Sequence, residues 1–185
     1  LKGDITMDYY STRQIGWLRR ISFVTAQELL DAGDTTKAID IVDKCMLELP
    51  LKNVAMDEIV QNMGLIYLDA GKTEAGVNLL KAGIKKSTEE LEYFLSFDDK
   101  HKMMEMYNLS DRAEQLGVML PRIILRYNLD ENLMDEYGTN AALDKLQQLT
   151  ESYLRDQSNP DAQQMLSAIP QGLLQQWFPQ LFERK

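Results

Sequence analysis

The sequence predicts an all-α protein built from antiparallel helix hairpins, and three observations carry that expectation. The stretch from Leu30 to Met46 is written a second time from Leu68 to Ile84, at a constant offset of 38 positions. Leu30, Asp31, Ala32, Gly33 and Thr35 recur unchanged as Leu68, Asp69, Ala70, Gly71 and Thr73. Ala38 answers to Gly76, Ile39 to Val77, Val42 to Leu80 and Cys45 to Gly83; upstream, Ala26 answers to Gly64. Self-similarity at a fixed period of this size marks helical repeats. Elsewhere, apolar residues recur at steps of three and four, the spacing of one helix face. No run shows the strict alternation of a half-buried strand.

Residues 1 to 11 lack periodicity and read as an entering arm, with Tyr9 and Tyr10 available to dock on the first helix. A helix follows from about Arg13 to Ala32, with Ile15, Leu18, Ile21, Thr25 and Leu29 on its apolar face. Gly33 stops it by permitting a left-handed backbone. Asp34 or Thr35 can cap the next helix, Thr36 to Leu49, and Pro50 ends it. Beyond Lys86 the repeat fades but helices continue. Thr88 to Phe97 reads as a short helix with Leu91, Phe94 and Leu95 buried, and Asp98 or Asp99 starts another piece. Ser110 reads as the N-cap of a helix carrying Ala113, Leu116, Leu120, Ile123, Ile124 and Tyr127. Pro121 lies inside that helix, where its ring would crowd the Gly117 carbonyl, so a kink or break is expected. Asn128 to Thr139 is connection. Asn140 to Gln157 is amphipathic, with Ala142, Leu146, Leu149 and Tyr153 on one stripe. Asn159-Pro160 reads as a cap followed by a first-turn proline. The tail from Trp177 to Phe182 has two readings, burial against the last helices or an exposed docking patch. Two repeats leave an apolar face for a neighbour. The organisation expected is therefore one helical domain over 1–185, with hairpins over 13–86 and divergent capping helices over 87–185.

Gly33, Ala38, Ile39, Val42, Cys45 and Pro50 resemble the tetratricopeptide spacing of turn glycine, small residue, aliphatic pair, small residue and closing proline. Gly64, Tyr67, Gly71, Gly76, Leu80 and Gly83 fill the same slots in the second copy. The resemblance implies an α-α superhelix. Small residues at Ala26/Gly64, Ala38/Gly76 and Cys45/Gly83 suit closely approaching helices, since a bulky side chain there would push the axes apart. The repeat departs from that family in two ways. Its period exceeds the usual length of about 34 residues, the surplus falling in the connection Leu51 to Asn53. Ser22 and Val60 stand where the family carries its signature tryptophan.

Composition narrows the function. The net charge of −9 argues against a nucleic-acid backbone or an anionic membrane surface as main partner. With one cysteine and one histidine, soft-metal sites are close to excluded. His101 lies in a charged run and reads as solvated, and Cys45 occupies a helix-packing slot. Glu89, Glu90 and Glu92 could pair for acid–base work, but a solvated helix face looks the same. No glycine loop has the spacing that cradles phosphate. Hence no cofactor, metal or catalytic residue is expected. Asn108-Leu109-Ser110 fits an N-glycosylation pattern and Asp34-Thr35-Thr36 a bacterial O-glycosylation acceptor, yet helix capping explains both. No stretch is long and apolar enough to span a bilayer. The chain starts at Leu1 and reads as a piece of a longer polypeptide.

What remains is a binding surface. In tetratricopeptide stacks the first helix of each pair lines a concave groove. By register, Arg20, Phe23, Gln27 and Leu30 from the first pair and Glu58, Gln61, Leu65 and Leu68 from the second would line it here. Peptide-carboxylate-binding members present Lys and Asn where this chain has Phe23 and Gln27, so capture of an acidic C-terminus is not expected. A mixed polar and apolar groove suits a helix or an extended peptide. Coverage of the same surface by the chain's own later helices is the competing reading.

A closer resemblance runs through Ile5 to Pro50 and weakens beyond residue 97. Asp8-Tyr9-Tyr10, the arginine-bearing helix at Arg19-Arg20 and the turn Asp43-Lys44-Cys45-Met46 before Pro50 resemble the soluble C-terminal regions of a group of bacterial multi-spanning membrane proteins of unknown function. Their N-terminal halves are similar to lipid-linked-sugar glycosyltransferases of the protein O-mannosyltransferase type. The resemblance implies a water-soluble extension of a membrane protein, facing the periplasm; together with the groove, this gives the expectation of a non-catalytic helical-repeat domain that binds a protein or peptide partner or braces the architecture of its parent. The alternative it implies is an accessory domain that engages the glycan or acceptor of a transferase whose catalytic part lies outside this chain.

Overall fold

The computed structural model describes residues 8–51, 58–156, 158 and 160–183, and every regular element among them is helical. Residues 1–7 of the expected 1–11 arm, positions 52 and 53 of the Leu51 to Asn53 connection, the Gln157 end of the Asn140 to Gln157 helix and the Asn159 cap lie outside the described residues. The chain forms two compact units, Leu1–Gly83 and Ile84–Lys185.

In the first unit, α1 (Tyr9–Asp31) begins four residues earlier than the sequence suggests, because the Asp8 carboxylate accepts from the Ser11 amide at 2.8 Å and caps the helix. Tyr9 and Tyr10 are thus its first residues rather than part of an arm. The buried face of α1 also differs from the expected one. Ile15, Arg19 and Ala26 are buried, whereas Leu18, Ile21 and Thr25 are exposed. This helix carries apolar residues on two sides, and the side with Ala26 lets α2 (Thr35–Glu48) and α3 (Glu58–Asp69) pack close. Arg19 is fully buried, and its Nη2 donates to the Leu49 carbonyl at 3.1 Å, satisfying an acceptor just past the end of α2.

The duplicated stretch folds the same way twice. Gly33 has φ +83° and Gly71 has φ +75°, the left-handed region where a side chain is strained. The Gly33 amide donates to the Leu30 carbonyl and the Asp34 amide to that of Leu29; the Gly71 amide donates to that of Leu68 and the Lys72 amide to that of Tyr67. These paired bonds close each helix in the same Schellman-type manner. Asp34 then caps α2 by accepting from the Lys37 amide at 3.2 Å. Ala26, Ala38, Val42, Cys45, Met63, Ile66 and Tyr67 form one buried cluster. Helices α3 and α4 (Thr73–Leu95) approach closely at Gly64 and Gly76. A Cβ on Gly76 would stand 2.7 Å from Leu68 Cγ and 2.8 Å from the Gly64 carbonyl oxygen.

Helix α4 runs unbroken through residues 84–95, where the sequence suggested a fresh helix at Thr88. No proline or glycine interrupts those positions, so nothing stops it. In the second unit this stretch buries Leu91, while Phe94 and Leu95 are half-buried. Asp98 caps α5 (Asp99–Met104) by accepting from the His101 amide. Helix α6 (Met106–Glu114) then starts before Ser110, which lies inside it and is not its cap. The break expected at Pro121 takes the form of a π-helical turn, Gln115–Met119, in which the Leu120 amide reaches back to the Gln115 carbonyl. Widening the turn relieves the clash and lets α7 (Leu120–Tyr127) continue. Gly117 sits in that turn, where a Cβ would stand 2.5 Å from Leu173 Cδ2.

A 3-10 turn, Glu131–Met134, leads to α8 (Thr139–Arg155). Ala142, Leu146 and Tyr153 are buried as their stripe predicts, with Leu149 half-buried. Helix α8 packs on α9 (Pro160–Ala168), which also meets α5 and α6. Last come α10 (Gln171–Trp177) and a 3-10 turn, Pro179–Leu181. The aromatic tail divides: Phe178 is buried, whereas Leu181 and Phe182 are exposed. Two buried polar pairs tie this unit together. Thr88 and Thr139 hydroxyls meet at 2.8 Å, and the Ser87 hydroxyl donates to Gln115 Oε1 at 3.1 Å.

Candidate functional site

Arg20, Phe23, Gln27 and Leu30 lie on α1 at steps of three, four and three; Glu58, Gln61, Leu65 and Leu68 repeat that spacing on α3. One stripe per helix follows from such steps, and α1 packs on α3. Arg20 and Glu58 are exposed, one of each charge. Phe23 and Leu30 are half-buried against the core cluster, so each keeps one side toward solvent. Gln27 is half-buried, with its amide donating to Asp31 Oδ1 at 2.9 Å. Gln61 and Leu65 are half-buried too. Leu68 differs: it is only 7% exposed, turned into the α3–α4 contact against Gly76. It holds the hairpin rather than facing a ligand.

Behind this stripe the packing is fixed by a polar tie. The Tyr67 hydroxyl donates to an Asp43 carboxylate oxygen, joining α3 to α2. Burial, and then the neighbouring carboxylate, push the Tyr67 phenol well above its ordinary range, so it stays protonated and serves as a brace.

The residues weighed for chemistry are placed in ordinary structural roles. Cys45 is buried in the core cluster. His101 is exposed, its Nδ1 against the Asp98 carboxylate at 2.8 Å. Arg112 Nε donates to Glu90 at 2.6 Å, Lys145 pairs with Glu92 at 2.9 Å, and Lys85 approaches Glu89 at 4.0 Å. Asn108 and Ser110 lie within α6 around a buried Leu109. Among the described residues no three metal-ligating side chains converge, and no helix is long and apolar enough to cross a membrane.

A cleft absent from the sequence-based expectations lies at the corner of α7, the following 3-10 turn and α8. Its volume is about 440 Å³, within the range of small-ligand sites. Pro121, Ile124, Leu129 and Met134 supply apolar walls; Asn128, Asn132 and Asn140 supply amides, and Glu131 and Asp135 supply carboxylates. The Asn140 amide donates to Asp135, and Asn128 holds a left-handed backbone at φ 51° that turns the chain at the cleft mouth. The sequence signal for it was indirect: a dense run of turn-forming residues just after the Pro121 break.

Comparisons with protein-family models, with curated proteins and with solved structures found no match for this chain.

Proposed function

We propose that this chain is a non-catalytic, tetratricopeptide-like helical-repeat domain that docks a protein or peptide partner, as the soluble, periplasmic extension of a bacterial membrane protein. One observation carries the docking reading. The Gly33 and Gly71 turns close on equivalent backbone bonds, and the helices before them carry stripes of mixed character, Arg20, Phe23, Gln27 and Leu30 on α1 and Glu58, Gln61 and Leu65 on α3. Half-buried apolar groups flanked by one exposed cation and one exposed anion suit a helix or extended segment that offers both. The membrane attachment rests on the resemblance through Asp8-Tyr9-Tyr10, Arg19-Arg20 and Asp43 to Pro50.

The test is capture of partners by wild type and by Phe23→Ala/Gln27→Ala, with circular dichroism confirming equal folding. Loss of the wild-type partners supports the groove, and an unchanged set of partners refutes it.

A second reading draws on the cleft beside Pro121. Three amides and two carboxylates over an apolar floor have the hydrogen-bonding character that engages sugar hydroxyls. An accessory domain that holds the glycan or acceptor of a transferase fits that lining. Titration of the isotope-labelled chain with neutral oligosaccharides, read at the amides of Asn128, Asn132 and Asn140, tests it. Shifts confined to those residues favour this reading, and no shifts at millimolar sugar refute it.

A further inference from the structure

Helix α1 carries a second apolar stripe on the side away from its core. Trp17 is 59% exposed, Leu18 53%, Ile21 58% and Val24 44%, and Tyr10 extends the line one heptad earlier. Trp17, Ile21 and Val24 are spaced four and three apart, the seam of a two-helix coiled contact. The exposed charges along this side are sorted by sign. Arg13 and Arg20 lie in the N-terminal half of the helix, Glu28 and Asp31 in the C-terminal half. A parallel helix of the same sequence would set like charges together, whereas an antiparallel one sets opposite charges face to face and also opposes the helix dipoles favourably.

We propose that this stripe is a self-association surface, and that its occupant is α1 of a second copy, packed antiparallel about a two-fold axis near Ile21. In that register Trp17 faces Val24 of the second copy and Arg13 faces Glu28 of the second copy, each contact being made twice. Five side chains of these sizes, about half exposed, offer on the order of 500 Å² per copy, hence roughly 1,000 Å² in all. That total stands at the lower edge of specific interfaces, the range of weak, transient association. The surface lies on the opposite side of α1 from the buried Ile15, Arg19 and Ala26, so it does not consume the core face of the hairpin.

Sedimentation equilibrium of the full chain from 2 to 200 μM in 50 mM salt tests the proposal. A monomer–dimer equilibrium is expected, weakened at least 10-fold by Trp17→Glu/Ile21→Glu, whose exposed positions leave the helical circular dichroism unchanged. Arg13→Glu should weaken it several-fold, and Arg13→Glu/Glu28→Arg should restore it. A monomer at every concentration overturns the proposal. So does a dimer that survives Trp17→Glu/Ile21→Glu, since another surface then forms it. An Arg13→Glu variant that dimerises as well as wild type overturns the antiparallel register.

Discussion

Adding one methyl group at three glycines separates the packing explanation of the repeat from simple helix propensity. At Gly16, in the interior of α1, a new Cβ meets nothing within 4 Å. Gly16→Ala should therefore stabilise the first unit by up to about 1 kcal/mol, the propensity gain alone. At Gly76 the same Cβ stands 2.7 Å from Leu68 Cγ and Cδ2 and 2.8 Å from the Gly64 carbonyl oxygen. Ordinary carbon contacts lie near ~3.5–4.0 Å. The shortfall is close to an ångström, and one of the atoms met is backbone, which cannot swing aside. Overpacking of this kind costs about 1–3 kcal/mol, so Gly76→Ala should destabilise by a net of up to about 2 kcal/mol after the propensity gain is subtracted. Gly64→Ala should fall between, because its nearest neighbours are Gly76 O at 3.2 Å and Leu79 Cβ at 3.3 Å. Urea unfolding read by Trp17 fluorescence in a Trp177→Phe background gives the ordering for this unit. A Gly76→Ala variant as stable as Gly16→Ala would refute close approach as the reason the repeat keeps small residues there.

Other consequences follow from single contacts. Arg19→Ala removes a fully buried side chain and leaves the Leu49 carbonyl without this donor; urea unfolding should show a loss of about 3 kcal/mol. Thr139→Val strands the buried Thr88 hydroxyl and should cost about 1–2 kcal/mol, while Thr88→Val/Thr139→Val should recover most of it, as thermal melts of the two variants beside wild type would show. The Asp98 carboxyl is held below its ordinary range, first by the His101 backbone amide and then by the His101 side chain. A depressed value makes its contribution present above the unfolded pKa near ~3.9 and lost as pH falls through the folded value. Melting temperature should therefore drop on acidification below about pH 4, and Asp98→Asn, which still caps but does not titrate, should drop less steeply.

Local chemistry was legible in the sequence. Gly33 and Gly71 announced left-handed helix ends because few residues other than glycine adopt that backbone, and Asp34 announced a cap because a short carboxylate reaches the Lys37 amide. Choices that depend on neighbours were not. Periodicity on α1 could not say which of two apolar stripes meets α2 and α3, and a fully buried Arg19 contradicts any reading by hydrophobicity alone. Fading similarity after Lys86 suggested a separate helix from Thr88, yet α4 continues because no proline or glycine interrupts residues 84–95. Ser110 had the right chemistry for a cap and lies within a helix instead, since Glu105 already breaks the chain before α6. Of the groove residues, Leu68 was misplaced because its side chain fills the space that the missing Cβ of Gly76 leaves open. The cleft beside Pro121 arises where a π-helical turn, a left-handed Asn128 and the start of α8 come together, a tertiary meeting that no spacing rule foretells.

Photo-crosslinking tests the proposed docking face most directly. A benzophenone amino acid placed in turn at positions 23, 27, 61 and 65, and at the exposed position 47 on α2 as a control, would be irradiated in cells that make the full-length protein. A common protein adduct from 23, 27, 61 and 65, absent at 47, is the predicted result. Adducts from 47 alone, or from none of the groove positions, would contradict docking by the paired stripes of α1 and α3.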